Sequence, residues 1–405
     1  MDVNQPVFIR SLAKPGATVF AMLFTLDSVG RAMVSTVLSM QAYALYQGRF
    51  GLDEGRPWVS ATFLITSLTS LIFNLVSPLF IQRLQRRWFY VAGMLVAILA
   101  VFLLATDTIP GQVAGMICRA LSAAACRIAL LLYMMDYIPR HQLVKSEPLR
   151  LFMSCIAWGV GPWLGVRLYQ DHGMIAPALV SAASYVVLIA YFLYLRMHNH
   201  PALVPAGAAL REFRNPLGNV LHFVRQRKLR LGWSIAFGRS AWWSMFFVYP
   251  ALYAADHKLD PQWAGGLVGI GNFMLVTAPL ISWVAQRTGI RTPLVFGLFV
   301  GGALTLSIPI FYDHPTVVGL LLLMGAACVV VLDSLGNIPF MRFVRPSERN
   351  QMSPVFQTYI DLSDLLPSTI YTILLSLFDF RAVFLASGLL TIATGFMALR
   401  LPKRL

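Results

Sequence analysis

Apolar residues in this chain gather in long runs, separated by short stretches rich in arginine, proline and glycine. A helix of about twenty such residues crosses a ~30 Å hydrocarbon layer. Twelve runs of that kind are predicted, at about 17–45, 58–82, 88–107, 111–137, 150–170, 173–196, 229–254, 262–286, 292–311, 315–343, 353–378 and 381–400. The first is too long for a signal-peptide core and reads as an uncleaved helix preceded by Arg10 and Lys14.

Composition agrees. Of the 405 residues, 58% are apolar and 12% are charged, about half the ~25% charge of soluble domains. The pattern excludes disordered, collagen-like and disulfide-stapled classes and predicts an all-α membrane protein. The formal net charge of +15 is not a nucleic-acid signature here, because its distribution follows the spans. With the N-terminus inside, the cytoplasmic segments hold 23 lysines and arginines, and the opposite loops hold only Arg49, Arg56, Arg167, Lys258 and Arg381. That asymmetry predicts both termini in the cytoplasm.

The longest connection, 198–228, separates a bundle at 1–197 from one at 229–405, and near 216–228 it predicts a surface helix with a basic face toward anionic lipid. The two halves echo each other. Gln82-Arg83-Leu84-Gln85-Arg86-Arg87 is answered by Gln286-Arg287-Thr288-Gly289-Ile290-Arg291, and Gly30-Arg31 by Gly238-Arg239. Pro148 and Pro162 are answered by Pro354 and Pro367. Nearly constant offsets argue for duplicated six-helix halves.

On these features the sequence resembles the major facilitator superfamily, whose pattern is two six-helix bundles with a long middle loop. The family's loop motif, G-x-L-a-D-R-x-G-R-K, matches in its basic part at Arg83, Arg86 and Arg87, and again at Arg287, Gly289 and Arg291. Its acidic position is Gln82 in one copy and Gln286 in the other, so the motif lacks the acid of its usual charge-pair latch. Arg119-Ala-Leu-Ser-Ala-Ala-Ala is similar to the R-x-x-Q-G-x-G-A-A motif linked to proton transfer. Gly159-Val-Gly161-Pro162-Trp-Leu-Gly165 resembles the G-P-x-x-G motif of exporters that exchange substrate for protons. Close helix packing with a kink also accounts for Gly161, Pro162 and Gly165.

Charge at membrane depth costs several kcal/mol unless paired or hydrated, so each such residue is a candidate. They are Asp27 and Arg31 in span one, Arg119 and Arg127 in span four, Arg239 in seven, Asp333 in ten, and Asp361 and Asp364 in eleven. At ~1.5 Å per residue, six of them lie roughly 12–17 Å from the cytoplasmic ends, with Arg31 and Arg119 farther out. The resemblance implies that these spans line or border a central cavity. Asp27 can be held by Arg31 one turn on or by Arg127 across the bundle. Asp361 and Asp364 repel each other unless Arg239 lies near. Asp333 has Asn337 one turn later and suggests a polar network, whereas Asp136 beside Arg140 reads as a solvated loop charge. Trp242 and Trp243 lie near mid-membrane, and adjacent residues point about 100° apart, so at most one can face a cavity.

The function predicted is a secondary transporter working by alternating access, driven by the proton gradient without a bound cofactor. Efflux of a small amphiphilic molecule is favoured over uptake of a metabolite or metal chelate, and a non-transporting receptor or scaffold is the alternative from another class. An enzyme is not predicted: the seven histidines fall in loops or at span edges, and no HExxH, GxSxG or Walker loop occurs. The four cysteines lie within apolar runs, with no CxxC or metal-ligand spacing. The expected partners are a small-molecule substrate and membrane lipid, without nucleic acid. The expected state is a monomer in a bacterial inner membrane.

Overall fold

The computed structural model describes residues 16–50, 52–195, 215–259 and 261–402. Arg10 and Lys14, and linker residues 198–214, lie outside the described residues. Every regular element among the described residues is helical.

The first helices are α1 (Ala17–Phe50), α2 (Leu52–Leu104), α3 (Ile109–Tyr137), α4 (Leu143–His172) and α5 (Ile175–Tyr194). Helix α6 (Pro216–Arg225) occupies the predicted linker helix, and its Leu217, Leu221 and Val224 are exposed. The rest are α7 (Arg227–Asp256), α8 (Pro261–Phe273), α9 (Ala278–Thr288), α10 (Arg291–Ser307), α11 (Pro315–Leu335), α12 (Ile338–Phe343), α13 (Arg349–Leu377) and α14 (Arg381–Ala398).

Several runs join or split relative to the sequence pattern. Predicted spans two and three are the two helical arms of α2, which meet at a non-helical turn at Gln85 (φ 60°, ψ 152°). Span eight is α8 and α9 joined by a 3-10 turn at Met274–Thr277, and span ten is α11 continued by α12. Among the described residues, nine helices are long and apolar enough to cross a membrane. One of them, Ala61–Leu104, has 44 residues and is long enough for two crossings. Helices α7 and α13, at 30 and 29 residues, are also long enough to cross, but carry Arg239 and the Asp361–Asp364 pair and are less apolar.

By contact, the chain forms two units. The first comprises the described residues of Met1–Pro139, Ile156–Leu221 and Arg345–Gln357, and the second those of Arg140–Cys155, His222–Val344 and Thr358–Leu405. Helices α4 and α13 therefore each contribute to both units.

In the first unit, Val34, Val37 and Leu38 of α1 meet Val101 and Leu104 of α2, Met116 of α3, and Ala178 and Ala182 of α5. In the second, Trp242 stacks on Phe246 with ring centroids 5.1 Å apart, and its indole donates to Thr305 Oγ1 at 2.9 Å. Large apolar side chains such as Ile72, Leu95, Val186, Phe296, Leu320 and Phe396 point outward. Asp27, Asn74, Arg239 and Asp361 are instead buried. A helix surface that is apolar outside and polar within suits lipid as solvent.

Candidate functional site

The interior of the first unit is organised around one turn of α1. Arg31 Nη2 donates to Asp27 Oδ2 at 2.7 Å, an i,i+4 pair in the favourable acid-first order. Arg31 is one of the two partners open to Asp27 in the sequence. Helix α5 grips the same turn: Ser184 Oγ donates to Leu26 O and Ser181 Oγ to Gly30 O, each at 2.7 Å. Gly30 permits this approach, since a Cβ there would stand 2.7 Å from the Tyr185 ring.

Helix α4 closes on the next turn. A Cβ at Gly161 would meet Ala32 Cβ at 2.7 Å, and one at Gly165 would overlap Met33 O. The Gly161-Pro162-x-x-Gly165 segment thus seats α4 against α1 immediately beyond Arg31, with Pro162 half-buried between them in sequence. The Arg31 guanidinium lies 5.8 Å from the Phe24 ring and 5.9 Å from the Trp158 ring. Around the pair, the side chains of Tyr90, Cys126 and Tyr185 lie within electrostatic reach of both Asp27 and Arg31. Arg119 is within reach of Arg31, Arg127 and Tyr185. Asp27 Oδ1 accepts no hydrogen bond from the protein.

A second network occupies the second unit. Arg239 Nε lies 3.3 Å from Asp333 Oδ1, and Arg239 Nη2 donates to the Tyr359 hydroxyl at 2.7 Å. The Trp243 indole donates to Asp333 Oδ2 at 2.6 Å. Glu147, fully buried, accepts from Arg150 at 2.9 Å and from Asn337 at 3.5 Å. Glu147 acts electrostatically on Arg239, and Arg150 on Asp333, so the two ion pairs form one network.

Chemically, each unit holds a carboxylate against a guanidinium in low dielectric. A carboxylate held by a guanidinium gives up its proton, and one separated from it in an apolar setting binds a proton. Such a pair can couple proton binding to a change in helix spacing.

The Major Facilitator Superfamily sequence profile matches residues 20–366. The chain belongs to the major facilitator superfamily. It is therefore a membrane transporter rather than an enzyme. Solved structures of superfamily transporters share the fold. A bacterial homologue of the iron transporter ferroportin, in an outward-facing state, superposes with a TM-score of 0.76 at 13% identity over 95% of this chain and 98% of that one. The human organic anion transporter MFSD10 gives 0.75 at 14% identity over 97% and 100%. The E. coli fucose:proton symporter FucP gives 0.72 at 12% identity over 95% and 97%. No curated protein sequence matches the chain.

Other superfamily positions fall as follows. Asp361 is buried on α13 and Asp364 is exposed, and Arg239 forms an ion pair with Asp333. Asn337, expected to serve Asp333, instead serves Glu147. Trp242, 1% exposed and bonded to Thr305, belongs to helix packing, and Trp243 is the indole that reaches the charged layer. Of the two candidate cavity aromatics, at most one of which could face a cavity, Trp242 is thus the one held between helices by burial and the Thr305 bond.

At the loop motif, Arg83 is exposed and Arg87 lies 5.5 Å from the Trp88 ring. Arg287 lies 3.9 Å from the Trp283 ring, and Arg291 donates to Leu399 O at 2.7 Å. Arg86 pairs with Asp136, whose side chain is 2% exposed and also takes Arg349 Nη1 at 2.7 Å. Arg86 Nε donates to Asn350 Oδ1 at 2.9 Å. Asp136 is therefore not a solvated loop charge, and the acid missing from the motif is supplied by α3. Glu147 and Arg150 also escaped the sequence reading. Their signal was the i,i+3 acid–base spacing at the start of α4, where the hydropathy pattern placed a loop.

Proposed function

We propose that the protein is a proton-coupled secondary transporter that works by alternating access and exports a small amphiphilic molecule. The observation that carries this is the Asp27–Arg31 pair on α1, buried among aromatic and apolar side chains with one carboxylate oxygen unengaged. Helix α4 packs on the turn just beyond it through Gly161 and Gly165. A shift of α4 against α1 changes the surroundings of Asp27, and with them its affinity for a proton. Export is favoured by the likeness of this glycine segment to proton-exchanging exporters and by the aromatic rings of Phe24 and Trp158 beside Arg31. In this reading the proton gradient is the energy source and no cofactor is bound. The working form is a monomer in a bacterial inner membrane, with bundles at 1–197 and 229–405.

The test is proton release from inverted vesicles energised by a proton gradient, on addition of a panel of amphiphilic compounds. Release is expected in the wild type, to be lost in Asp27→Asn, and to be restored in part by Asp27→Glu. Unchanged release in the asparagine variants of Asp27, Asp333, Asp361 and Asp364 removes proton coupling. Substrate flux in the opposite sense makes the protein an uptake system using the same acids.

A further inference from the structure

We propose that Arg119 is an anion-accepting residue of the transport pathway, receiving the carboxylate, sulfonate or phosphate of an amphiphilic organic anion. The inference rests on the transporter reading above and adds the charge of the substrate to it.

The starting point is an imbalance. The formally charged residues at membrane depth in α1 and α3 are Asp27, Arg31, Arg119 and Arg127, three guanidiniums to one carboxylate. The carboxylate is already engaged, with Asp27 Oδ2 2.7 Å from Arg31. The groups that act electrostatically on Arg119 are the Tyr185 hydroxyl and two further guanidiniums, Arg31 and Arg127. Its Nε is buried and makes no hydrogen bond. Holding a cation at that depth beside like charges is unfavourable unless it is paired or hydrated. A ligand anion offsets the cost, and a guanidinium is suited to the task, since its planar fork grips carboxylate, sulfonate or phosphate oxygens in pairs.

Position adds shape to charge. Arg119 and Arg127 are eight residues apart on α3 and so share roughly one helix face. Arg31, within electrostatic reach of Arg119, is flanked by the Phe24 and Trp158 rings at 5.8 and 5.9 Å. An anionic head on Arg119 leaves an aromatic body to lie along those rings.

The experiment uses the full-length protein in nanodiscs of phosphatidylcholine, without any gradient, so its outcome does not depend on proton coupling. Two probes share one aromatic skeleton: anilinonaphthalene sulfonate and its uncharged analogue phenylnaphthylamine. Equilibrium dialysis should show saturable sulfonate binding that is tighter than that of the neutral probe. Arg119→Gln should weaken the sulfonate roughly tenfold or more, the loss of a hydrogen bond to a charged group, with little effect on the neutral probe. Arg119→Lys should restore part of the loss. Equal sulfonate affinity in wild type and Arg119→Gln overturns the proposal. So does a wild type that prefers the neutral probe, a result that stands even if no variant folds. Adding phosphatidylglycerol separates the two sources of an anionic group. Unchanged sulfonate binding supports a soluble substrate, and its displacement assigns Arg119 to lipid headgroups and overturns the transport role.

Discussion

Gln85 holds φ 60° and ψ 152°, a backbone conformation that essentially only glycine adopts without strain. Its counterpart in the second repeat, 204 residues on, is Gly289 at φ 80° and ψ 163°. The same turn is thus built twice, once with the residue the geometry calls for and once with a side chain that must be forced into it. Strain of this kind costs about 1–3 kcal/mol, against about 0.5–1 kcal/mol for the added chain entropy of glycine. Gln85→Gly is therefore expected to stabilise the protein by about 1 kcal/mol, and Gly289→Gln to destabilise it. Thermal unfolding of the solubilised protein reads both. A lower midpoint for Gln85→Gly would show that the glutamine side chain contributes contacts worth more than the strain. Gly165 illustrates the other demand on glycine, close approach. It lies in ordinary helix, yet any side chain would meet the Met33 carbonyl of α1.

At the scale of elements, the hydropathy pattern revealed the helices and missed their ends. Helix α4 begins at Leu143 and α13 at Arg349, before the apolar runs predicted from about 150 and 353. Hydropathy senses the hydrocarbon layer, whereas a helix continues wherever its backbone and side chains find partners. The overhanging turns hold what the sequence reading missed: Glu147 with Arg150, and Arg349 on Asp136. The Asp27–Arg31 pair was legible because both residues lie on one helix, four apart. The partners of Asp136 come from 50 and 213 residues away, so no local spacing announces them. Removing the acid leaves two largely buried guanidiniums uncompensated. Asp136→Asn is expected to cost about 3–5 kcal/mol, the penalty for breaking a buried pair from one side. Arg86→Gln should cost less, because Arg349 still neutralises Asp136. A double-mutant cycle checks the coupling, and additive losses would mean that the Arg86–Asp136 contact carries no energy of its own.

The whole molecule adds the question of which end of each helix faces the cytoplasm, and there charge is the guide. The 23 cationic residues in one set of loops and the five in the other predict that Arg287 and Arg291, at the ends of α9 and α10, face the inside. With a single crossing by α10, His314, beyond its far end, is expected on the opposite face. Thr288 and His314 are both exposed, and each accepts cysteine without disturbing packing. With a membrane-impermeant maleimide, His314→Cys is expected to be modified in intact cells, and Thr288→Cys only in inverted or permeabilised membranes. Reversed labelling would turn the molecule over, because the positions are fixed to opposite ends of one helix. Asp27, Arg239 and Asp333 would stay near the middle of the bilayer, since each lies roughly 14–16 Å from the cytoplasmic end of its predicted span, about half of a ~30 Å hydrocarbon layer. What would change is the side from which Arg119 is met. It lies toward the outer part of α3 in the charge-derived orientation, so an exported anion reaches it after passing the Asp27 layer, and in the reverse orientation before. The labelling result therefore decides the order in which proton and substrate sites are encountered.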